Sequence, residues 1–165
     1  RELLKILEKK LGGSVETWGQ TFAWKSSRGP SLEFTLLAEG MRKLGLLWLL
    51  IQNETLWSGS VLFWDEPEAN LNPALMRTVA EILNFLQRYG VQILLATHSL
   101  AFLKELQLQQ KKDDKLRYHA LYRNEKDIIC VESSDDYFDL SSNAIAEAMD
   151  DLFDRTMADS LSGSK

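Results

Sequence analysis

An acid pair and a histidine stand where side chains of these types could act on a bound ligand. Asp65 and Glu66 follow directly after the apolar run 61–64, and His98 comes shortly after the apolar run 91–96. Short apolar runs without alternation are typical of strands buried on both faces of a parallel sheet. Ligands of such sheets bind at the carboxyl ends of the strands. An aspartate there can hold Mg²⁺, directly or through water, and a neighbouring glutamate can orient or deprotonate a water molecule.

One helical pattern separates the acid pair from the histidine. Apolar residues recur at helical spacing between Pro73 and Tyr89, and Gly90 is a typical helix end. Strand, helix and strand in this order form a crossover that joins two parallel strands. A polar turn is the simpler interpretation of either strand end alone. Two polar strand ends joined by one crossover favour a shared site.

The rest of the chain completes an α/β pattern. The sequence predicts an opening helix that ends at Gly12, a hairpin, a long apolar helix, a later strand pair and a closing helix. Their approximate ranges are 3–11, 15–18 with 21–25, 40–53, 116–122 with 128–131, and 140–157.

Composition excludes several classes of protein. The chain has 165 residues, 45% of them hydrophobic, and a net charge of −5, which argues against a general nucleic-acid-coating role. Its single cysteine, Cys130, excludes an internal disulfide and favours a reducing, cytoplasmic location. The longest apolar run, 44–51, is too short to cross a membrane, so no membrane partner is expected.

The run 34–106 resembles the C-terminal half of the nucleotide-binding domain of ABC-type ATPases. It is similar in style to the SMC, RecF-like and OLD-like branch, often called AAA-family ATP-binding proteins. The resemblance implies a partial P-loop NTPase lobe with a mainly parallel sheet flanked by helices, and ATP and Mg²⁺ as cofactors. It makes Asp65 the Mg²⁺ ligand of Walker B, Glu66 the catalytic base and His98 the switch histidine that contacts the γ-phosphate.

Two further segments resemble loops of the same family. Residues 37–42 stand where the family has its signature loop, and a small residue and a glycine there open a long helix whose free N–H groups could bind an anion. Residues 68–73 resemble the D-loop, which reaches the second subunit. The resemblance therefore implies a homodimer formed through both loops, with DNA or an associated effector protein as further candidate partners. The nucleotide-binding residues that it implies are Ala38, Glu39, Gly40, Asn70 and Asn72.

The sequence departs from the family pattern in three ways. Ala38 stands where the family usually has serine, Asn72 replaces an aspartate or histidine, and no Gly-x-x-x-x-Gly-Lys-Ser/Thr loop (Walker A) occurs. We therefore expect residues 1–158 to be the C-terminal part of an ATPase domain that is inactive without a Walker A lobe, with 159–165 as a flexible tail. The alternative is a non-catalytic dimerisation or interaction module derived from the same fold.

Other candidate residues favour structural roles. The acidic group Asp150, Asp151 and Asp154 lies on a helical pattern, and a solvated helix face is a better interpretation than a nuclease metal site. His119 and Cys130 lie in predicted strands without a partner at metal-ligand spacing, so we expect both to be packing residues.

Overall fold

The computed structural model describes residues 2–19, 21–141 and 143–162, and these residues form an α/β structure. The chain divides into two compact units, residues 1–112 and residues 113–165. The first unit contains the acid pair, the histidine and both predicted loops. The two units are described separately below.

The first unit begins with helix α1 (Glu2–Leu11) and a three-stranded antiparallel sheet of β1 (Gly13–Trp18), β2 (Thr21–Ser26) and β3 (Ser31–Glu33). The β1–β2 hairpin confirms the sequence prediction. A 3-10 turn at Phe34–Leu36 leads into α2 (Glu39–Gln52), the predicted long apolar helix.

The second half of this unit is the predicted crossover. Strand β4 (Val61–Asp65), helix α3 (Pro73–Arg88) and strand β5 (Gln92–Ala96) follow one another, and β4 pairs with β5 in parallel. Helix α4 (Leu100–Leu108) completes the unit. Among the strand pairings that the structure describes, β4–β5 is the parallel one and the others are antiparallel.

A single hydrophobic core holds these helices against the parallel strands. Helix α3 places an apolar stripe in this core, and Val79, Leu83 and Leu86 on it are 0–2% exposed. Helix α2 contributes Leu44 and Trp48 to the same core. Apolar area removed from water on this scale is the main stabilising contribution in a small domain. The core therefore fixes the ends of β4 and β5 relative to the start of α2.

The prediction that β4 and β5 are buried on both faces is wrong for the chain as described. Side chains along each strand alternate: Trp64 and Leu95 face the core, whereas Phe63 and Leu94 on the opposite face are 76% and 44% exposed. Val61 on the same open face is 48% exposed. The strands carry apolar residues on both faces, as predicted, but the described helices cover one face only.

The second unit is a hairpin followed by a helix. Strands β6 (Tyr118–Arg123) and β7 (Ile129–Ser134) pair in antiparallel fashion, and α5 (Ala144–Ser162) follows a 3-10 turn at Tyr137–Asp139. The acids of α5 that the sequence analysis assigned to a solvated helix face are all exposed. His119 is also exposed, so its predicted packing role is wrong, while Cys130 is partly buried.

Helix α5 continues to Ser162, beyond the point where the sequence predicts a tail, and residues 163–165 lie outside the described residues. Within the described ranges, no helix has both the length and the apolar character needed to cross a membrane.

Candidate functional site

The acid pair and the histidine lie together at the carboxyl ends of the two parallel strands. Asp65, the last residue of β4, is in register with Ala96, the last residue of β5. The next backbone N–H, that of Glu66, donates to the Ala96 carbonyl at 2.9 Å. His98 Nδ1 lies 3.0 Å from Glu66 Oε1. The crossover therefore brings Glu66 and His98, from two distant parts of the sequence, into contact, and Asp65 directly precedes Glu66 at the same strand end.

The Glu66–His98 contact defines the state of the imidazole. A carboxylate oxygen accepts hydrogen bonds, so Nδ1 of His98 must carry the proton that it donates to Glu66. This leaves Nε2 directed to another partner, as a donor or an acceptor according to protonation. The His98 side chain is 77% exposed and that of Glu66 is 45% exposed, so both are accessible to a ligand and to water.

Glu66 has an unusual backbone conformation. Its φ is +45°, in the left-handed region that costs a non-glycine residue roughly 1–2 kcal/mol. The Glu66 N–H bond to Ala96 and the Ala69 N–H bond to the Glu66 carbonyl, at 3.1 Å, hold the turn in this form. Residues held in sparsely populated conformations cluster at active sites, where the surrounding structure fixes them. The outlier is consistent with a functional role for Glu66.

The segment predicted to be the D-loop packs against the start of α2. The Asn70 backbone also has a positive φ, +61°, and Leu71 behind it is buried. A Cβ added to Gly40 would lie 2.6 Å from Leu71 Cδ2 and 3.0 Å from the Asn70 carbonyl oxygen. Gly40 therefore lets the D-loop backbone lie directly against the predicted signature loop.

The beginning of α2, like any helix start, has N–H groups without a partner inside the helix. Ala38 is the N-cap residue and makes no side-chain cap hydrogen bond. The first helical bond is donated by the Arg42 N–H to the Ala38 carbonyl at 3.0 Å. Exposed Ala38 and Glu39 place this helix end at the surface, where its dipole favours an anion.

Asn72 has a structural task in addition to its predicted one. It is the N-cap of α3, and its Oδ1 accepts a hydrogen bond from the Ala74 N–H at 2.9 Å. Pro73 occupies the first turn, where a missing N–H costs nothing. Asparagine at this position is therefore explained by helix capping.

Three contacts around the site were not anticipated from the sequence. Lys43 of α2 donates through Nζ to the carbonyls of Glu66, at 3.2 Å, and Ala69, at 2.9 Å. Glu68 is buried, at 6% exposed, and accepts a hydrogen bond from the Thr97 hydroxyl. A lysine on an apolar helix and a glutamate in a polar run carry no sequence signal for such contacts, because both depend on how α2 and β5 pack.

The carboxylate of Asp65 at the end of β4 is the candidate ligand for a magnesium ion. Among the described residues, no cluster of three or more histidine, cysteine, aspartate or glutamate side chains could hold a metal ion. Mg²⁺ bound with a nucleotide needs only one or two carboxylates, because phosphate oxygens and waters supply the other ligands. Asp65, exposed at the strand end, meets that requirement. The residues present therefore fit a nucleotide-bound Mg²⁺.

Comparisons with solved structures identify the fold. A structure from work on ATP-driven dimerisation and DNA-stimulated activation of SMC ATPases is similar at 12% identity, with a TM-score of 0.58, and the match covers 94% of each chain. An Smc head bound to the C-terminal winged-helix domain of ScpA is similar at 14% identity, with a TM-score of 0.62. A Pyrococcus furiosus Smc head with an extended coiled coil, bound to the C-terminal domain of ScpA, is similar at 13% identity, with a TM-score of 0.59.

These matches differ in how much of the known chain they cover. This chain aligns over 81% and 93% of its own length with the two Smc heads, but it spans only 41% and 36% of theirs. At these identities the likeness establishes the fold alone, that of a P-loop NTPase, and it confirms the predicted α/β class.

Comparison with family models identifies the relatives by sequence. No match was found among curated proteins. The model described as "AAA domain, putative AbiEii toxin, Type IV TA system" matches residues 16–104, more than half of the chain, and this segment includes both strand ends, the start of α2 and the D-loop segment. The predicted resemblance to AAA-family, ABC-type ATPases is thereby confirmed, and the chain belongs to this AAA-domain family.

Proposed function

We propose that the chain is the C-terminal lobe of an ATP-hydrolysing, ABC-type ATPase domain. The observation that carries this proposal is the contact of His98 with Glu66, beside Asp65, at the ends of two adjacent parallel strands. Ligands of open parallel sheets bind outside this edge. An acid pair and an imidazole at one such edge suit phosphoryl chemistry, which depends mainly on positioning and on electrostatic stabilisation.

Each of the three residues has a distinct proposed role. Asp65 would hold the Mg²⁺ that accompanies ATP, and the bound ion would neutralise charge on the β- and γ-phosphate oxygens. Glu66 orients the attacking water and accepts its proton. His98, oriented by its Nδ1–H bond to Glu66, presents Nε2 to the γ-phosphate. The accessibility of Glu66 and His98 permits all three roles without a rearrangement of the strands.

The open face of the parallel pair supports the proposal of a second lobe. Parallel sheets occur almost only with both faces covered. Here Val61, Phe63 and Leu94 are all more than two-fifths exposed on one face of β4 and β5. The sequence also contains no Walker A loop to bind the β-phosphate. We propose that polypeptide carrying that loop covers this face, so that the chain described here is inactive by itself.

Two surface loops support a nucleotide-dependent homodimer. The start of α2 at Ala38–Gly40 would bind the γ-phosphate of ATP held by a second subunit, and Asn70 in the D-loop would reach the same interface. Their direct packing within one chain presents them together. DNA or an effector protein remains a proposed further partner, and the cytoplasm the proposed location.

The proposal is tested by measuring ATP hydrolysis with and without the missing lobe. The 165-residue chain alone should show no turnover. Joined to, or co-expressed with, the segment of its natural protein that carries a Walker A loop, it should hydrolyse ATP. Glu66→Gln should then retain ATP binding while turnover falls by roughly 100-fold or more, because the proton acceptor is lost. Robust turnover by the isolated chain, or full activity of Glu66→Gln, would contradict the assignment.

The alternative function is a non-catalytic dimerisation module. It is favoured by Ala38, which cannot supply the hydroxyl contact of the usual serine, and by the absence of the Walker A loop from the sequence. Under this alternative, wild type and His98→Ala would form dimers equally well with and without ATP, and neither would release phosphate. Size measurement with ATP alongside phosphate release separates the two functions.

A further inference from the structure

A buried contact links the turn after β4 with the segment after β5. Glu68 is 6% exposed, and the Thr97 hydroxyl donates a hydrogen bond to its Oε1. The other carboxylate oxygen, Oε2, is buried and has no hydrogen-bond partner among the described residues. The Thr97 hydroxyl is therefore the main compensation for burying this carboxylate. Leaving a buried acceptor without a partner costs more than a typical hydrogen bond contributes.

Thr97 also fixes the backbone on the far side of the histidine. Its Oγ1 accepts a hydrogen bond from the Ser99 N–H at 3.0 Å. The hydroxyl thus uses its proton for Glu68 and a lone pair for Ser99, which determines its orientation. The Ser99 Oγ in turn accepts from the Phe102 N–H at 3.3 Å and caps α4. His98 therefore lies between Thr97 and Ser99, and hydrogen bonds fix both of these residues.

The backbone of the glutamate that contacts His98 has anchors of its own. Lys43 donates to the Glu66 carbonyl at 3.2 Å, and the Glu66 N–H donates to Ala96 at 2.9 Å. The His98 ring itself is 77% exposed, so core packing does not restrain it. Its position against Glu66 therefore depends on the backbone that carries it.

From this arrangement we propose that Glu68 and Thr97 are positioning residues, which hold the segment 97–99 so that His98 Nδ1 meets Glu66. The proposal deepens the proposed ATPase function and rests on it for its catalytic consequence. The geometric part, which concerns residues of this chain alone, can be measured without nucleotide. A misplacement of about 1 Å at a reacting group can lower a rate roughly 100-fold, so a contact of this kind has consequences for turnover.

The first test measures the tautomer of His98 in the 165-residue chain by long-range ¹H–¹⁵N NMR. Because the chain has only two histidines, His98 and His119, the spectrum is simple, and His119 serves as an internal control. Wild type should show His98 with its proton on Nδ1. Thr97→Val, which keeps the shape and removes the hydroxyl, should shift the proton toward Nε2, whereas Thr97→Ser should retain the wild-type state.

An unchanged His98 tautomer in Thr97→Val would overturn the proposal. An equal loss of the Nδ1-protonated tautomer in Thr97→Ser would overturn it as well. If Thr97→Val does not fold, Thr97→Ala replaces it, because alanine removes the hydroxyl without adding any atom at the site. The amide signals of first-unit core residues such as Val79 and Leu83 should be the same in every variant, which distinguishes a local change at His98 from unfolding of that unit.

The second test measures hydrolysis in the assembly that contains the Walker A lobe. Thr97→Val should lower kcat about 10- to 100-fold with little change in KM for ATP. In a His98→Ala background the same substitution should have no further effect, because its action passes through the imidazole. Additive losses would overturn the proposal. An assembly that does not hydrolyse ATP would contradict the proposed function alone, and the NMR result would then decide the positioning role.

Discussion

Replacing Asn72 by alanine is expected to destabilise the first unit by a measurable and small amount. The substitution removes the acceptor of the 2.9 Å bond from the Ala74 N–H. Losing an N-cap of this kind costs about 1 kcal/mol, within a range of roughly 0.5–2. Asn72 and Ala74 are exposed, so water can reach the freed N–H and the cost should stay near the middle of that range. Because α3 carries core residues such as Leu83 and Leu86, the loss should appear in global unfolding.

Urea denaturation followed by circular dichroism measures this effect, with the denaturant midpoint expected to fall and the slope unchanged. In thermal unfolding of the first unit the same loss corresponds to a decrease in Tm of about 4 °C. Asn72→Ser keeps an acceptor and should be nearly neutral. Asn72→Asp also places a negative charge at the helix N-terminus, which should add about 0.3–1 kcal/mol. If serine destabilised the unit as much as alanine, the capping explanation of Asn72 would be refuted.

Three further predictions follow from contacts described above. Ala38→Ser should stabilise α2 by about 1 kcal/mol, since the N-cap position makes no side-chain bond now; an unchanged urea midpoint would contradict this. Phe63→Ser should change the free energy of unfolding of the isolated chain by less than about 0.5 kcal/mol, because the ring is 76% exposed. Leu83 is 2% exposed, so Leu83→Ala should lower that free energy by about 2–5 kcal/mol in the same urea assay. Burial, with a smaller contribution from the Asp136 charge, raises the pKa of Tyr118, so the protonated phenol stabilises the folded state. This stabilisation is complete below the unfolded-state pKa of about 10, and it is lost as pH rises through the higher folded-state pKa. Tyr118→Phe should abolish this alkaline loss in a circular-dichroism titration, and an identical alkaline transition in the variant would refute the assignment.

The sequence predicted the crossover well because its signals are local. Apolar runs without alternation, followed by Asp65 and His98, determine where the strands end, and the parallel arrangement of β4 and β5 follows from the helix between them. The α/β class, the hairpin and the family relationship were predictable for the same reason. The proposed roles of the individual site residues remain predictions.

Contacts between distant elements were not predictable. The bonds from Lys43 to the turn after β4, and from Thr97 to Glu68, form only after α2 and the two strands pack together. The open face at Phe63 was also missed, because an apolar run shows that a residue can be buried but does not show which polypeptide covers it. Polar side chains such as Lys43 and Thr97 add nothing to an apolar repeat, so hydrophobic periodicity does not indicate their contacts.

The close approach of Gly40 to Asn70 and Leu71 means that the two loops of one chain cannot move independently. With only hydrogen on the Gly40 Cα, the Leu71 side chain and the Asn70 carbonyl oxygen pack against the beginning of α2 more closely than a Cβ would permit. A displacement at either loop is transmitted to the other across a distance shorter than one side chain. In the proposed dimer, a shift of one loop on nucleotide binding would therefore reach the neighbouring loop through the Leu71 side chain and the Asn70 carbonyl.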